Sequence, residues 1–106
     1  MPRKAPPSFP SESKLLIDLG ERLRLARLRR RLTTSTVAQR CDISRPTLAK
    51  VERGDPSVTF GTYLRVLSVY GIEADLAAVA VDDALGRRLQ DLALPAVRVR
   101  VKKDPR

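Results

Sequence analysis

An all-α fold of five to six short helices is the architecture this sequence predicts, and three observations carry it. Apolar residues recur at three- and four-residue steps, as in Leu16, Leu19, Leu23 and Ala26, which is the period of one helix face. Hydroxyl residues stand where such runs begin, Thr33, Ser44 and Thr59 among them, and glycine stands where one ends, at Gly71. Strict alternation, the mark of a strand, appears in Val97-Arg98-Val99-Arg100-Val101, so one short C-terminal β-strand can accompany the helices. At 106 residues the chain is large enough for one modest core and too small for two.

Residues 1–13 read as a basic, proline-rich arm. Pro2, Pro6, Pro7 and Pro10 fix φ and remove donors, which favours extended or disordered chain, and Arg3 and Lys4 make it positive. Such an arm either reaches into a minor groove or stays a solvated tail. Phe9 stands apart, because an aromatic in a loose tail usually has somewhere to dock. The folded domain is expected over 14–94. Its first helix is predicted over 14–31, with Ser11 or Ser13 as its cap. Arg22, Arg24, Arg29 and Arg30 fall mostly outside the core stripe, whereas Arg27 borders it, an odd place for an unpaired guanidinium. Ile17, Leu25 and Leu28 gather on the opposite side. Three apolar residues on one face call for a cover, either Phe9 or a partner protein.

The stretch 34–53, TSTVAQRCDISRPTLAKVER, organises the rest. Val37, Ala38 and Cys41 mark the inner face of one short helix, Ile43 follows the turn, and Leu48 and Val51 mark the inner face of a second. This is the hydrophobic skeleton of a helix-turn-helix. Two short helices cross closely only where a small residue sits at the contact, and Ala38 takes that place. Asp42 falls where the chain must leave the helix with positive φ, which glycine does freely and Asp tolerates. Thr33 caps the first of the two helices and Ser44 the second. The hydroxyls of Thr33 and Thr34, with the free N–H groups beside them, make a phosphate seat or serve capping alone. The second helix presents Arg45, Pro46, Thr47 and Lys50 outward, where a major groove can be read; the alternative for Lys50 and Arg53 is a solvated helix face.

Gly54-Asp55-Pro56-Ser57 reads as a turn. Thr59 then caps a helix that runs to Tyr70 with Phe60, Leu64, Val66, Leu67 and Tyr70 inward, so its aromatics belong to the core and not to a base-stacking platform. From Glu73 the charge changes sign: Glu73, Asp75, Asp82 and Asp83 occur with no Lys or Arg between them, and this segment should face away from a polyanion. Leu76, Ala77, Val79 and Ala80 predict a short fifth helix whose small apolar residues suit close packing. Asp82 or Asp83 caps a last helix over 84–92, striped by Leu85, Leu89 and Leu92; capping accounts for the two acids better than general acid/base work. The tail, 95–106, is basic. A strand over 97–101 cannot stand alone, so it pairs with a second copy, adds to the edge of another protein, or frays.

These residues together resemble the Xre/Cro/lambda-repressor family of helix-turn-helix regulators. The likeness runs from LGERLRLAR at Leu19 through the ERG of Glu52–Gly54 to TYLRVLSVYGI at Thr62–Ile72, with Asp42 in place of the usual glycine at the turn. The resemblance implies a five- to six-helix Xre-type bundle with Arg45, Pro46, Thr47 and Lys50 facing the groove. Arg45 or Lys50 suits guanine O6 and N7, and Thr47 a thymine methyl. It further implies phosphate contacts from Thr34, Arg53 and the residues after Gly54, with Thr33 and Ser44 completing the DNA-binding set. A partly buried ion pair between Arg27 and Glu52 is implied in the same way. So is a two-fold homodimer on operator DNA, with half-sites about one helical turn apart. Leu76, Val79 and Ala80 of the fifth helix, and Val97, Val99 and Val101 of the strand, are its expected dimerisation residues. Within the family, GDPSVTFGTYLRVLSVYGI followed by LGRRLQDLALP is similar to HipB-type antitoxins, the DNA-binding partners of HipA-like serine/threonine kinase toxins. That similarity implies autorepression of a toxin–antitoxin operon and a bound toxin. The tryptophan found in the tail of some relatives is absent here, which leaves the outer leucines of the first helix, or the last helix, as toxin-facing surfaces.

Composition narrows the choice. Twenty-one Lys and Arg against 12 Asp and Glu give a net charge of +9, which suits a polyanionic partner. A single cysteine and no histidine leave no disulfide within the chain and no zinc site, so no metal or cofactor is expected, and Cys41 reads as a small core hydrophobe. The lack of histidine, of a glycine-rich phosphate loop and of a nucleophile–base pairing argues against an enzyme. No apolar run is long enough for a bilayer and the N-terminus has no signal-peptide hydrophobic region; the expected place is the cytoplasm, on the nucleoid. Three functions compete: an antitoxin and autorepressor, a stand-alone repressor without a toxin, and a protein-interaction adaptor that no longer binds DNA.

Overall fold

In the computed structural model, which describes residues 9–93, the chain forms α1 (Pro10–Arg29), α2 (Thr34–Cys41), α3 (Arg45–Arg53), α4 (Phe60–Val69), a 3-10 helix (Glu73–Ala78) and α5 (Ala84–Ala93). Among the described residues there is no strand, and the all-helical class is borne out. Residues 1–8 of the arm and the strand expected from Val97, Val99 and Val101 lie outside the described residues. The chain divides into two units between residues 74 and 75.

The first helix departs from expectation at both ends: it starts at Pro10 instead of residue 14 and stops at Arg29 instead of residue 31. Proline is well placed in a first turn, because its φ is already helical and its missing N–H would have had no partner there. Glu12, three residues into the helix, accepts the Phe9 N–H at 3.4 Å. Phe9 is therefore the residue before the helix and is 70% exposed, while Ser11 and Ser13 lie inside the helix and do not cap it.

Four helices end in one geometry. Arg31, Asp42, Gly54 and Gly71 have φ of +55°, +58°, +71° and +75°. After each, the next N–H turns back onto the helix: Leu32 to the Arg27 carbonyl, Ile43 to Ala38, Asp55 to Lys50 and Ile72 to Leu67, at 3.2, 3.0, 3.0 and 3.0 Å. These bonds satisfy carbonyls that the end of a helix leaves without partners. At Asp42 the left-handed conformation makes the sharp corner between α2 and α3.

The core of the first unit is built where the stripes meet. Leu23 and Ala26 of α1, Val37, Ala38 and Cys41 of α2, Leu48 and Val51 of α3, and Tyr63, Val66, Leu67 and Tyr70 of α4 and its end are all buried. Leu16, Leu19, Ile43 and Leu64 are half-buried at its rim. α1 packs on α3, and α2 packs on both α3 and α4. Phe60, expected inward, is 68% exposed. It is the first residue of α4, where the chain is only entering the helix, and Tyr63 one turn later takes the inward place. The closest approach of two backbones is between α1 and the end of α3. A Cβ on Gly20 would lie 2.6 Å from both the Gly54 nitrogen and the Val51 carbonyl oxygen, and one on Gly54 would collide with the Leu16 carbonyl oxygen.

Where the second unit begins, the fifth helix expected from Leu76, Ala77, Val79 and Ala80 is corrected to a 3-10 turn. It covers Glu73–Ala78 and leaves Val79 and Ala80 outside, with Ala80 at φ +63°. Leu76 is half-buried, while Val79 and Ala80 are exposed. Six residues with no buried face cannot offset the nucleation cost of an α-helix, and a short 3-10 turn is the usual outcome. Of the two candidate caps for α5, Asp83 is the one used: its Oδ1 accepts the Gly86 N–H at 3.0 Å, while Asp82 pairs with Arg87 at 2.9 Å. Leu85, Leu89 and Leu92 run along α5 exposed.

Candidate nucleic-acid interface

Three helices of the first unit begin in the same way. The Thr33 hydroxyl accepts the Thr36 N–H at 3.1 Å, that of Ser44 accepts the Thr47 N–H at 3.1 Å, and that of Thr59 accepts the Thr62 N–H at 3.2 Å. Each cap hydroxyl also bonds the hydroxyl three residues on, at 3.0, 2.9 and 2.9 Å. None of the three first turns holds an acidic residue, so the positive ends of α2, α3 and α4 carry no neutralising carboxylate there. Thr34 is the first residue of α2 and is exposed.

The two crossed helices form a rigid base. Val37, Leu48 and Val51 have no measurable exposure and Cys41 has 1%. Burial pushes the Cys41 thiol up, as expected of a cysteine serving as a core side chain. Above this base Arg45, Pro46, Lys50 and Arg53 are exposed and Thr47 is half-buried. Pro46 falls in the first turn of α3, where its ring costs no hydrogen bond. The Arg45 guanidinium donates from Nη1 to Ser35 Oγ at 3.4 Å, which leans it from α3 across to the first turn of α2. Among the described residues neither Lys50 nor Arg53 takes part in an ion pair.

The far end of α3 is bolted to α1. Arg27 Nε and Nη2 donate to the two oxygens of Glu52 at 2.8 and 3.1 Å, a bidentate pair whose side chains are 12% and 9% exposed. Arg27 Nη1 donates to the Leu32 carbonyl at 3.2 Å, so the guanidinium also ties down the link to α2. The hydrogen bonds to Glu52 raise the Arg27 pKa against the opposing effect of burial. With the Gly20–Gly54 contact beside it, this pair sets how far α3 stands from α1.

Other residues that position the surface are not apparent from the sequence. Arg30 donates to the Ala26 carbonyl and to the Tyr70 carbonyl, both at 3.0 Å, with its guanidinium 5.2 Å from the centroid of the Tyr70 ring. Arg65 donates to the Cys41 carbonyl at 3.2 Å and so closes the end of α2. The Tyr63 hydroxyl donates to the Asp55 carbonyl at 2.8 Å and pins the loop that follows α3. Arginines outside an apolar stripe look like solvated charges in sequence, and nothing in the spacing reveals which carbonyl one of them will meet.

The arrangement is that of an exposed cationic edge on a pair of helices packed over a buried seam, able to present its side chains to a groove. A family model described as a helix-turn-helix domain matches residues 18–80, more than half of the chain. No curated protein and no solved structure matches it. The matched span takes in α1 from residue 18 onward and all of α2, α3 and α4, including the Arg27–Glu52 bolt, the left-handed corner at Asp42 and the outward face of α3. The chain belongs to the helix-turn-helix domain family, whose crossed helices are a DNA-binding unit.

Proposed function

We propose that the protein is a sequence-specific transcriptional repressor that reads operator DNA in the major groove with α3. The observation that carries this reading is the union of a buried seam with an open cationic face: Leu48 and Val51 have no exposure, while Arg45 and Lys50 on the same short helix are exposed. Arg45 and Lys50 donate to guanine edges, and Pro46 and Thr47 make the apolar contacts beside them. Thr33, Thr34 and Ser44 at two helix starts, and Arg53 at a helix end, hold phosphates and so set the register. The working unit is a homodimer, because one module of this size buries too little surface to select a site; Leu76, Val79 and Ala80, with Val97, Val99 and Val101, are its proposed dimerisation residues.

The finer role we infer is that of an antitoxin that represses its own operon and binds a HipA-like kinase toxin in the cytoplasm. It is supported by the similarity of the 54–72 block to HipB-type antitoxins and by the Leu85, Leu89 and Leu92 stripe on α5, exposed among the described residues, which a partner protein can cover. The test has two arms. The purified protein is titrated with duplex DNA from upstream of its own gene at several salt concentrations. A complex that weakens steeply with salt is expected, and no complex at low salt would leave only the adaptor reading. Capture from the native host then separates the antitoxin, which brings down a kinase-like protein, from a stand-alone repressor, which does not.

A further inference from the structure

At three of the four left-handed helix ends, the residue that turns back onto the helix is apolar: Leu32 after α1, Ile43 after α2 and Ile72 after α4. That is the ordinary pattern, since this residue lies against the last turn of its helix. At the end of α3 the same place is held by Asp55. Its position is fixed from several sides. The Asp55 N–H donates to the Lys50 carbonyl at 3.0 Å, and its own carbonyl accepts from the Tyr63 hydroxyl at 2.8 Å and the Val58 N–H at 3.3 Å. Its Oδ1 accepts the Ser57 N–H at 2.8 Å.

The turn made by that last bond needs only an oxygen acceptor, which Asn or Ser supplies as well as Asp. The negative charge is surplus to it. A carboxylate beyond the C-terminus of a helix also faces the negative end of the helix dipole, so α3 gains nothing from the charge. Among the described residues Asp55 forms no ion pair. Its bond to the Lys50 carbonyl and its place two residues after Arg53 put it at the end of α3 that carries these two exposed cations. The Ser57 N–H foremost, and after it the Ser57 side chain and these two cations, hold the Asp55 carboxyl below its ordinary value, so it is ionised at neutral pH.

We propose that Asp55 is a specificity-determining residue: an anion held at the edge of α3 that offsets the pull of Lys50 and Arg53 on any phosphate. Attraction to phosphate is blind to sequence and dominates non-specific binding. A chain of net charge +9 has that attraction in excess, and a fixed carboxylate beside the reading cations lowers it without touching the bases. The inference rests on the DNA-binding reading given above.

The experiment compares the full chain with Asp55→Asn and Asp55→Ser, both of which keep an acceptor for Ser57 and remove the charge. The probe is a short duplex of random sequence, titrated at several salt concentrations, with thermal unfolding measured alongside. Both variants should bind the random duplex about threefold to tenfold more tightly at low salt, with a steeper salt dependence and an unfolding midpoint close to that of the wild type. Affinity and salt dependence equal to wild type in both variants would overturn the proposal, as would a gain confined to Asn, which would trace to a new amide contact. Wild-type protein that binds no duplex at any salt would remove the DNA-binding reading and this proposal together; binding by the wild type with no gain in the variants removes this proposal alone.

Discussion

Tyr70 is buried to 5% exposure and its hydroxyl has no hydrogen-bond partner among the described residues, whereas the Tyr63 hydroxyl, equally deep, donates to the Asp55 carbonyl. Burial, with the nearby Asp55 carboxylate, pushes Tyr63 up to about 12; burial, with Glu52 next in weight, does the same to Tyr70. Below pH 10 both the folded and the unfolded chain keep these protons. Above 10 the unfolded chain releases them first, so the stability they contribute is lost as pH rises from 10 through 12. Urea unfolding should therefore be flat through neutral pH and fall steeply across that window, by up to about 2–3 kcal/mol for each tyrosine. Tyr70→Phe should remove its share of the alkaline loss and cost less than about 1 kcal/mol at neutral pH, since no bond is broken, whereas Tyr63→Phe should cost about 1 kcal/mol. At the reading surface, Arg45→Ala should relax base preference at one operator position and weaken binding by about 1–3 kcal/mol, seen in a footprint and a titration. An unchanged footprint would remove Arg45 from the reading set.

Between elements, the contact of α1 with the end of α3 governs where α3 stands. Propensity alone says that Gly20→Ala should stabilise α1 by about 1 kcal/mol. The added Cβ would meet backbone atoms of Gly54 and Val51 at 2.6 Å, and backbone cannot swing aside as a side-chain tip can. The net effect expected is a loss of about 2 kcal/mol or more in thermal or urea unfolding, with weaker DNA binding because α3 is displaced. Gly61→Ala is the control. A Cβ there meets nothing closer than 4.0 Å, so the same change in α4 should be neutral or stabilising. The ends of these elements show the same division. The caps at Thr33, Ser44 and Thr59 and the corner at Asp42 were legible because each is a bond between residues a few positions apart. The start of α1 at Pro10 is not legible in this way, because a proline among other prolines favours extended chain and only the formed helix shows that it occupies a first turn.

For the molecule as a whole, the proposed operator reading needs a second copy, because one module of this size buries too little surface to select a site. Removing residues 96–106 should weaken self-association if the alternating Val97, Val99 and Val101 pair across a two-fold, read as mass in solution at several concentrations. An unaltered mass would sink that pairing. The dimer face expected on a fifth α-helix is less regular than its composition implied: Val79 and Ala80 lie past a 3-10 turn. Among the described residues of the second unit, Leu85, Leu89 and Leu92 of α5 are exposed, as are Val79 and Val81 before it.

What could be read from the chain in advance is what local chemistry dictates. A helical period, a hydroxyl three residues before its N–H, and an Asp where φ must turn positive all act within one or two turns, and they were sufficient for the helical class and for the seam of Val37, Ala38, Cys41, Leu48 and Val51. Folding in three dimensions decided the rest. That Tyr63 and not Phe60 faces inward, that Gly20 lets α1 lie on the end of α3, and that Arg30 and Arg65 close distant helix ends all depend on which remote segments meet. A sequence records the reach and charge of each such side chain, but its partner is chosen only when the core brings the two together.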